Sequence, residues 1–135
     1  MKARMLYGVL LIAFGTGWMT GPTAAHHSLA AFDRTKPITL DGVISQAKWM
    51  NPHSWIYLDV KDKDGKVTNW GMETVSPAQF AQRVSPSLLK PGVRMTAIGI
   101  GPKDPAQHIM ALQEFIIDGK KYNSAAAAGR EGAGQ

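Results

Sequence analysis

Four residues of the sequence are candidates to bind one metal ion together: His26, His27, His53 and Glu73. Neutral imidazole is the side chain that most often binds zinc and copper in proteins. A carboxylate can bind the ion directly, or it can orient an imidazole that does. The remaining histidine, His108, lies in DPAQHIMALQ before a predicted strand and is interpreted as a loop residue.

The first 25 residues predict a secretory signal peptide. Lys2 and Arg4 supply the positive charge at its start, residues 5–14 (MLYGVLLIAF) are apolar, and small residues at 23–25 form a cleavage site. The apolar segment is too short for a membrane anchor, which needs roughly 20 apolar residues. We therefore expect a periplasmic or secreted protein with no membrane span after cleavage.

The cleavage position decides which nitrogen atoms are available to a metal. Cleavage after Ala25 makes His26 the first residue and adds its free amino group as a donor. Cleavage after Ala24 makes His27 the third residue, so that the amine, two backbone amides and the imidazole could enclose one ion. Nitrogen-rich tetragonal ligand sets suit Cu(II). The predicted cofactor is therefore a copper ion or, as the other candidate, a zinc ion.

Composition excludes several classes of site. The chain has no cysteine, which rules out disulfides, thiolate zinc sites, thiol nucleophiles and blue-copper centres with a cysteine ligand. It has 15 Lys and Arg against 10 Asp and Glu, and two of the cations lie in the signal peptide, which leaves a net charge of +3. This charge predicts no nucleic-acid partner. There is no nucleotide-binding loop and no Ser-His-Asp set, so we predict a binding protein, not an enzyme.

The pattern of apolar residues and turns predicts an all-β domain with one short helix. Residues 26–37 are expected to form an extended N-terminal arm, 38–122 the domain, and 123–135 a disordered tail rich in Ala and Gly. Five strands are predicted at about 38–48, 54–61, 67–74, 93–100 and 109–117, and a helix at 77–84 capped by Ser76. Gly42 predicts a bend or bulge in the first strand. The order β-β-β-α-β-β predicts a small five-stranded OB-like barrel.

The hairpin between the second and third strands has two possible registers. A two-residue turn would pair Ile56 with a carboxylate, whereas a three-residue loop ending at Gly65 pairs Ile56 with Met72 and Leu58 with Trp70. A slip by one residue turns every side chain to the other face, so the apolar pattern favours the three-residue loop. We expect these four side chains to form one buried patch.

The same register places chemistry on the other face, which we call the outer face. Glu73 falls opposite Trp55, and His53 lies diagonally beside Glu73, close enough to share an ion or a hydrogen bond. Trp55 and Tyr57 alternate along this face and form a candidate ligand face. Each residue also has a structural interpretation: His53 could simply hydrogen-bond the loop or Glu73, Glu73 could pair with a lysine, and the N-terminal histidines could be a polar chain start.

Several segments together resemble a known family. HHSLAAFD (26–33), WMNPHSWIYLDV (49–60), DGKVTNWGMET (64–74) and LKPGVRMTAIGIGPKD (89–104) are similar to a widespread family of small exported bacterial proteins known as a domain of unknown function. The resemblance covers most of residues 26–122 and implies that the histidines of HHS and NPH and the Glu of WxxE act as one set. It implies no reaction. The loop GPKDPAQH (101–108) departs from the family pattern, which has a glycine-rich turn there.

Three functions remain in competition. The first is a periplasmic metal-binding protein that uses His26, His27, His53 and Glu73. The second is an accessory domain that binds a non-metal ligand or a periplasmic protein partner on the Trp55/Tyr57 face. The third, and the least favoured, is an oxidative copper enzyme that uses the N-terminal histidine.

Overall fold

The computed structural model describes residues 30–124. The predicted signal peptide, the predicted ligands His26 and His27, and residues 125–135 of the predicted tail lie outside the described residues. At the other end, Asn123 ends the last strand and Ser124 is buried. The folded part therefore continues two residues beyond the boundary predicted at residue 122.

Within residues 30–124, six strands form one mostly antiparallel sheet, with a short helix and a 3-10 helix between the third and fourth strands. The elements are β1 (Phe32–Lys48), β2 (Trp55–Lys61), β3 (Val67–Glu73), α1 (Pro77–Ala81), a 3-10 helix (Pro86–Leu88), β4 (Arg94–Pro102), β5 (Ile109–Ile117) and β6 (Lys120–Asn123). The strand order is β3-β2-β1-β4-β5-β6, and β3 also pairs in parallel with β5. The all-β class with one short helix is confirmed. The fold is a small barrel-like sheet but not an exact OB-like barrel, since a sixth strand is present.

The first strand begins earlier than predicted. β1 starts at Phe32 and not at residue 38, because Phe32 pairs with Pro102 and Pro37 with Ile100 of β4, and a register shift takes up the residues between. Within that shift Asp33 accepts hydrogen bonds from Thr35, which lower the pKa of the Asp33 carboxyl below its ordinary value. Residues 32–37 therefore belong to the sheet and not to an extended arm.

The predicted hairpin register is confirmed. Ile56 pairs with Met72, Leu58 with Trp70, and the connecting loop places Gly65 in the left-handed region with φ of 85°. Ile56, Leu58 and Met72 are fully buried, whereas Trp70 is only half-buried and contacts the ring of His108. The expected four-residue patch is thus wrong in one member: Trp70 lies at its edge.

The predicted bend at Gly42 is wrong in position. The register shift between β1 and β2 falls between Ile44 and Gln46. Gly42 instead marks a close approach, since a Cβ there would overlap the carbonyl oxygen of Asp59. A glycine is needed at this position because the neighbouring backbone fills the space of a side chain.

The core lies between the inner faces of the strands and α1. Ser76 caps α1, its hydroxyl accepting from the Gln79 N–H at 3.4 Å, and Pro77 occupies the first turn, as predicted. The helix ends at Ala81 and contributes Phe80, whose ring stacks at 6.3 Å on Phe115. The buried members of the core are Ile44, Ile56, Leu58, Met72, Phe80, Val84, Leu89, Met95, Ala97, Met110, Leu112, Phe115 and Ile117.

Candidate functional site

His53 and Glu73 meet where β2 begins and β3 ends. Nδ1 of His53 contacts Oε1 of Glu73, as the register predicted. The ladder continues past both strands, since the Ser54 N–H donates to Val75 O at 3.0 Å and the Thr74 N–H donates to Ser54 O at 2.9 Å. These bonds hold the residues next to His53 and Glu73, so the two side chains lie on the same face beside Trp55.

The pair differs in exposure. The Glu73 side chain is 9% exposed and the His53 side chain 32%, which leaves one edge of the imidazole open to solvent. Because Nδ1 faces Glu73, the second ring nitrogen, Nε2, is the one available for another partner. A carboxylate that accepts from one ring nitrogen fixes the tautomer and the orientation of the imidazole, and this is the usual arrangement behind a metal-binding histidine.

The described residues do not complete a metal site alone. Within residues 30–124 no group of three or more His, Asp or Glu side chains could hold an ion. His53 and Glu73 supply one imidazole and one carboxylate. The predicted ligands His26 and His27 lie outside the described residues, so the structure gives no position for their side chains.

The start of β1 is held close to Glu73. Phe32 packs with Ile100 and Ala111 in a second apolar cluster, separate from the core, and Ala111 is the partner of Glu73 in the β3–β5 ladder. The Lys103 N–H also donates to Ala31 O at 2.9 Å. The described chain therefore begins beside β4, and the Phe32 side chain contacts Ala111, the ladder neighbour of Glu73.

His108 belongs elsewhere. It is an exposed residue before β5, as predicted, and its ring meets Trp70 edge-on with ring centroids 5.3 Å apart. Trp70 and Glu73 lie on opposite faces of β3. His108 is therefore separated from His53 by the sheet.

Trp55 and Tyr57 lie on the outer face, as their alternation predicted. Both are half-buried, and their ring centroids are 6.5 Å apart. Trp55 pairs with Glu73 across the hairpin, so the two rings continue directly from the His53–Glu73 pair.

Two features of the site region escaped the sequence analysis. Ser54 is fully buried, and its hydroxyl is the one buried side-chain oxygen without a hydrogen-bond partner among residues 30–124. The second was the apolar cluster around Phe32. The run IMALQEFII could have indicated it, because Ile109 and Ala111 are apolar on the outer face while Met110 is buried on the inner one. An apolar run on both faces indicates a strand covered on both sides.

Two shallow depressions lie elsewhere on the surface. One is lined by residues that include Asp41, Arg94 and Thr96, and the other by residues that include Trp49 and Leu89. Neither is lined by His53 or Glu73.

Comparison with known proteins places the chain in a family without assigning it an activity. In residues 30–124 no helix is both long and apolar enough to cross a membrane. No curated protein matches the sequence. A model of a family of unknown function, DUF6152, matches residues 17–110, which is more than half of the chain, and the protein belongs to that family.

Proposed function

We propose that the protein is exported to the periplasm or secreted and binds a single copper ion there, with zinc as the alternative ion. The observation that supports this most directly is the contact of His53 Nδ1 with the buried carboxylate of Glu73. That contact aims Nε2 of an otherwise open imidazole outward, as in metal sites whose histidine is oriented by a carboxylate. Glu73 then acts as the orienting group, and the ion is held by nitrogen.

The remaining donors would come from the processed chain start. Removal of residues 1–25 would leave His26 with a free amino group, followed by His27. The six residues from His26 to Phe32 can span at most about 20 Å when fully extended. Phe32 packs against Ala111, the ladder partner of Glu73, so His53 lies within the range of that short connection.

The proposal also gives a meaning to the shared sequence pattern. HHS at 26–28, NPH at 51–53 and WGME at 70–73 would be the signature of this family because each segment supplies one part of one site. The function is binding, and no catalytic step is assigned to these residues.

The test combines processing and metal content on one sample. We expect N-terminal sequencing of the exported protein to begin at His26 or at Ala25, and elemental analysis or titration to find about one Cu(II) or Zn(II) per chain. His53→Ala and the pair His26→Ala with His27→Ala should each weaken binding. His108→Ala is the matched control, since His108 lies on the opposite face of the sheet.

Two results would contradict the proposal. One is a correctly processed protein that binds neither ion. The other is binding that His53→Ala leaves unchanged, because the site would then be confined to the chain start and would not need the fold.

A second candidate function is the binding of a non-metal ligand or a partner on the outer face. The observation that favours it is the pair of half-buried rings, Trp55 and Tyr57, with planes only 26° apart. If His26→Ala and His53→Ala leave ligand binding intact while Trp55→Ala abolishes it, this second function is the correct one.

A further inference from the structure

The outer face of the β2–β3 hairpin carries two aromatic rings over a strip of bare backbone. Trp55 and Tyr57 have ring centroids 6.5 Å apart, and Gly71 lies opposite Tyr57 in the hairpin. A Cβ at Gly71 would lie 3.4 Å from Cε3 and Cζ3 of the indole and 3.5 Å from Cε1 of the phenol ring. Both rings therefore meet at the one position of β3 that has no side chain. We call Trp55, Tyr57 and Gly71 the aromatic platform.

Hydrogen-bonding groups lie at both ends of the aromatic platform. At one end Asn69 Nδ2 donates to Asp59 Oδ1 at 2.6 Å and to Ser45 Oγ at 2.9 Å. At the other end His53 contacts Glu73. These groups are donors and acceptors for a polar ligand that lies across the rings.

The charges around the aromatic platform are few and mixed. Lys48 lies beside it, with Nζ 5.1 Å from the centroid of the Tyr57 ring, and Lys61 follows Asp59 on the same face of β2. Asp59 and Glu73 are the carboxylates of this face of the hairpin. Single-stranded nucleic acid binds to aromatic residues set in a positively charged groove that follows its phosphates. Two lysines balanced by two carboxylates do not provide such a groove, so the charge favours a neutral ligand.

We propose that the aromatic platform binds a neutral oligosaccharide. A sugar ring presents an apolar face of C–H groups, which packs on aromatic faces, and a rim of hydroxyls, which needs donors and acceptors of both kinds at the edge. The Asp59–Asn69–Ser45 cluster and the His53–Glu73 pair supply that edge. In OB-fold barrels the face of the second and third strands binds oligosaccharides as well as oligonucleotides. The inference rests on the second candidate function and does not require a bound metal ion.

Gly71 provides a control at the centre of the aromatic platform, because its substitution adds a methyl group without removing either ring. The methyl group of Gly71→Ala would lie 3.4 to 3.5 Å from both rings, in ordinary van der Waals contact, so neither ring needs to move. The φ angle of Gly71 is not positive, and alanine in a strand is favoured over glycine by about 0.5–1 kcal/mol. The variant should stay folded and keep its ligand affinity.

The experiment is a binding titration of the full exported chain in EDTA, in which binding is measured by tryptophan fluorescence and by calorimetry. The probes are hexasaccharides of β-linked glucose, of N-acetylglucosamine and of xylose, with a thymidine decamer as the anionic probe. We expect at least one hexasaccharide to bind, and Trp55→Ala and Tyr57→Ala to weaken it by about tenfold or more, as for central aromatic contacts in other interfaces. Gly71→Ala should bind with the native affinity and show an unchanged or higher unfolding midpoint.

Trp49→Ala is the matched control, since Trp49 is exposed and contacts Phe80 away from this face, and it should bind like the native chain. The inference is overturned if no hexasaccharide binds, if Trp55→Ala binds as well as the native chain, or if the decamer binds in preference. A metal titration of the same variants, after EDTA has been removed, separates the two proposals. Trp55→Ala should still bind the metal ion. If no hexasaccharide binds, the proposal of metal binding is unaffected.

Discussion

Replacing Glu73 by glutamine tests whether the carboxylate orients His53 for a metal. In Glu73→Gln the amide oxygen can still accept a hydrogen bond from the Nδ1–H of a neutral imidazole. The imidazole therefore keeps its hydrogen bond but loses the negatively charged partner. Removing a carboxylate behind a metal-binding histidine costs about 10- to 100-fold in metal affinity, or about 1.4–2.8 kcal/mol. The Glu73 side chain is only 9% exposed, so water has little access to the position of the carboxylate and cannot take over its interaction with the imidazole. We therefore expect an effect within that range.

Stability separates orientation from folding. In Glu73→Ala the Nδ1 atom loses its protein partner, but the His53 side chain is 32% exposed and water can reach it. We expect a loss of about 1 kcal/mol, at the lower end of the range for an unsatisfied polar group, and a smaller loss in Glu73→Gln. Equilibrium urea unfolding of the metal-free protein measures this change, and competition titration with a chelator measures the affinity.

Glu114→Gln is the control for the loss of a carboxylate. Glu114 forms an ion pair with Lys121 at 3.1 Å on another part of the sheet, and its side chain is 37% exposed. Its replacement should change neither metal affinity nor, by more than a few tenths of a kcal/mol, stability. If Glu73→Gln binds the ion as tightly as Glu114→Gln does, the carboxylate does not position the imidazole and the argument from the pair fails.

Three further changes test the packing and the electrostatics of the described residues. Ser54→Ala removes a buried hydroxyl without a partner and should leave stability unchanged or raise it by about 1 kcal/mol in urea unfolding, whereas a marked loss would reveal a hidden partner. Gly42→Ala places a Cβ against the carbonyl of Asp59 and should cost about 1–3 kcal/mol in the same assay; a neutral result would show that β1 and β2 can separate. Thr35→Ala should raise the pKa of Asp33 toward its ordinary value in an NMR titration. Because that pKa is lowered in the folded protein, the stabilisation by Asp33 is present above the unfolded pKa and is lost as pH falls through the folded one. The backbone N–H of residue 35 still donates to Asp33 in the variant, so an unshifted titration would exclude the Thr35 hydroxyl as a cause.

The hairpin was predictable because its apolar pattern distinguishes the two short registers. A two-residue turn sets Ile56 against Glu73, whereas the three-residue loop pairs Ile56 with Met72 and places Gly65 in the left-handed region. The position of His53 beside Glu73 follows from that register and needs no knowledge of the rest of the fold. Local turn chemistry and the alternation of side chains were sufficient for the described half of the site.

The remaining features depend on contacts distant in sequence. Phe32 joins β1 only because β4 offers Pro102 and the β5 residue Ala111 offers an apolar surface, neither of which the local pattern reveals. β6 is an exception, because its hairpin with β5 is local and turns at Asp118, which adopts a positive φ of 50°. Its four residues are too short a run for a strand pattern to stand out. Trp70 is half-buried because it pairs at the edge of the core, next to the loop that carries His108. A single strand pattern contains no information on such neighbours.

The two proposals use alternate residues of one strand and must therefore interact. His53, Trp55 and Tyr57 follow one another at intervals of two along β2, and Trp55 lies opposite Glu73. A ligand on the indole would cover the carboxylate that orients His53, remove water from it and so alter the binding of an ion at the imidazole. Linkage requires the effect to be reciprocal, so an ion must change the affinity for the sugar by the same factor as the sugar changes the affinity for the ion. A shared factor that differs from one would mean that the two ligands influence each other across this face, and a factor of one would mean that their sites are independent.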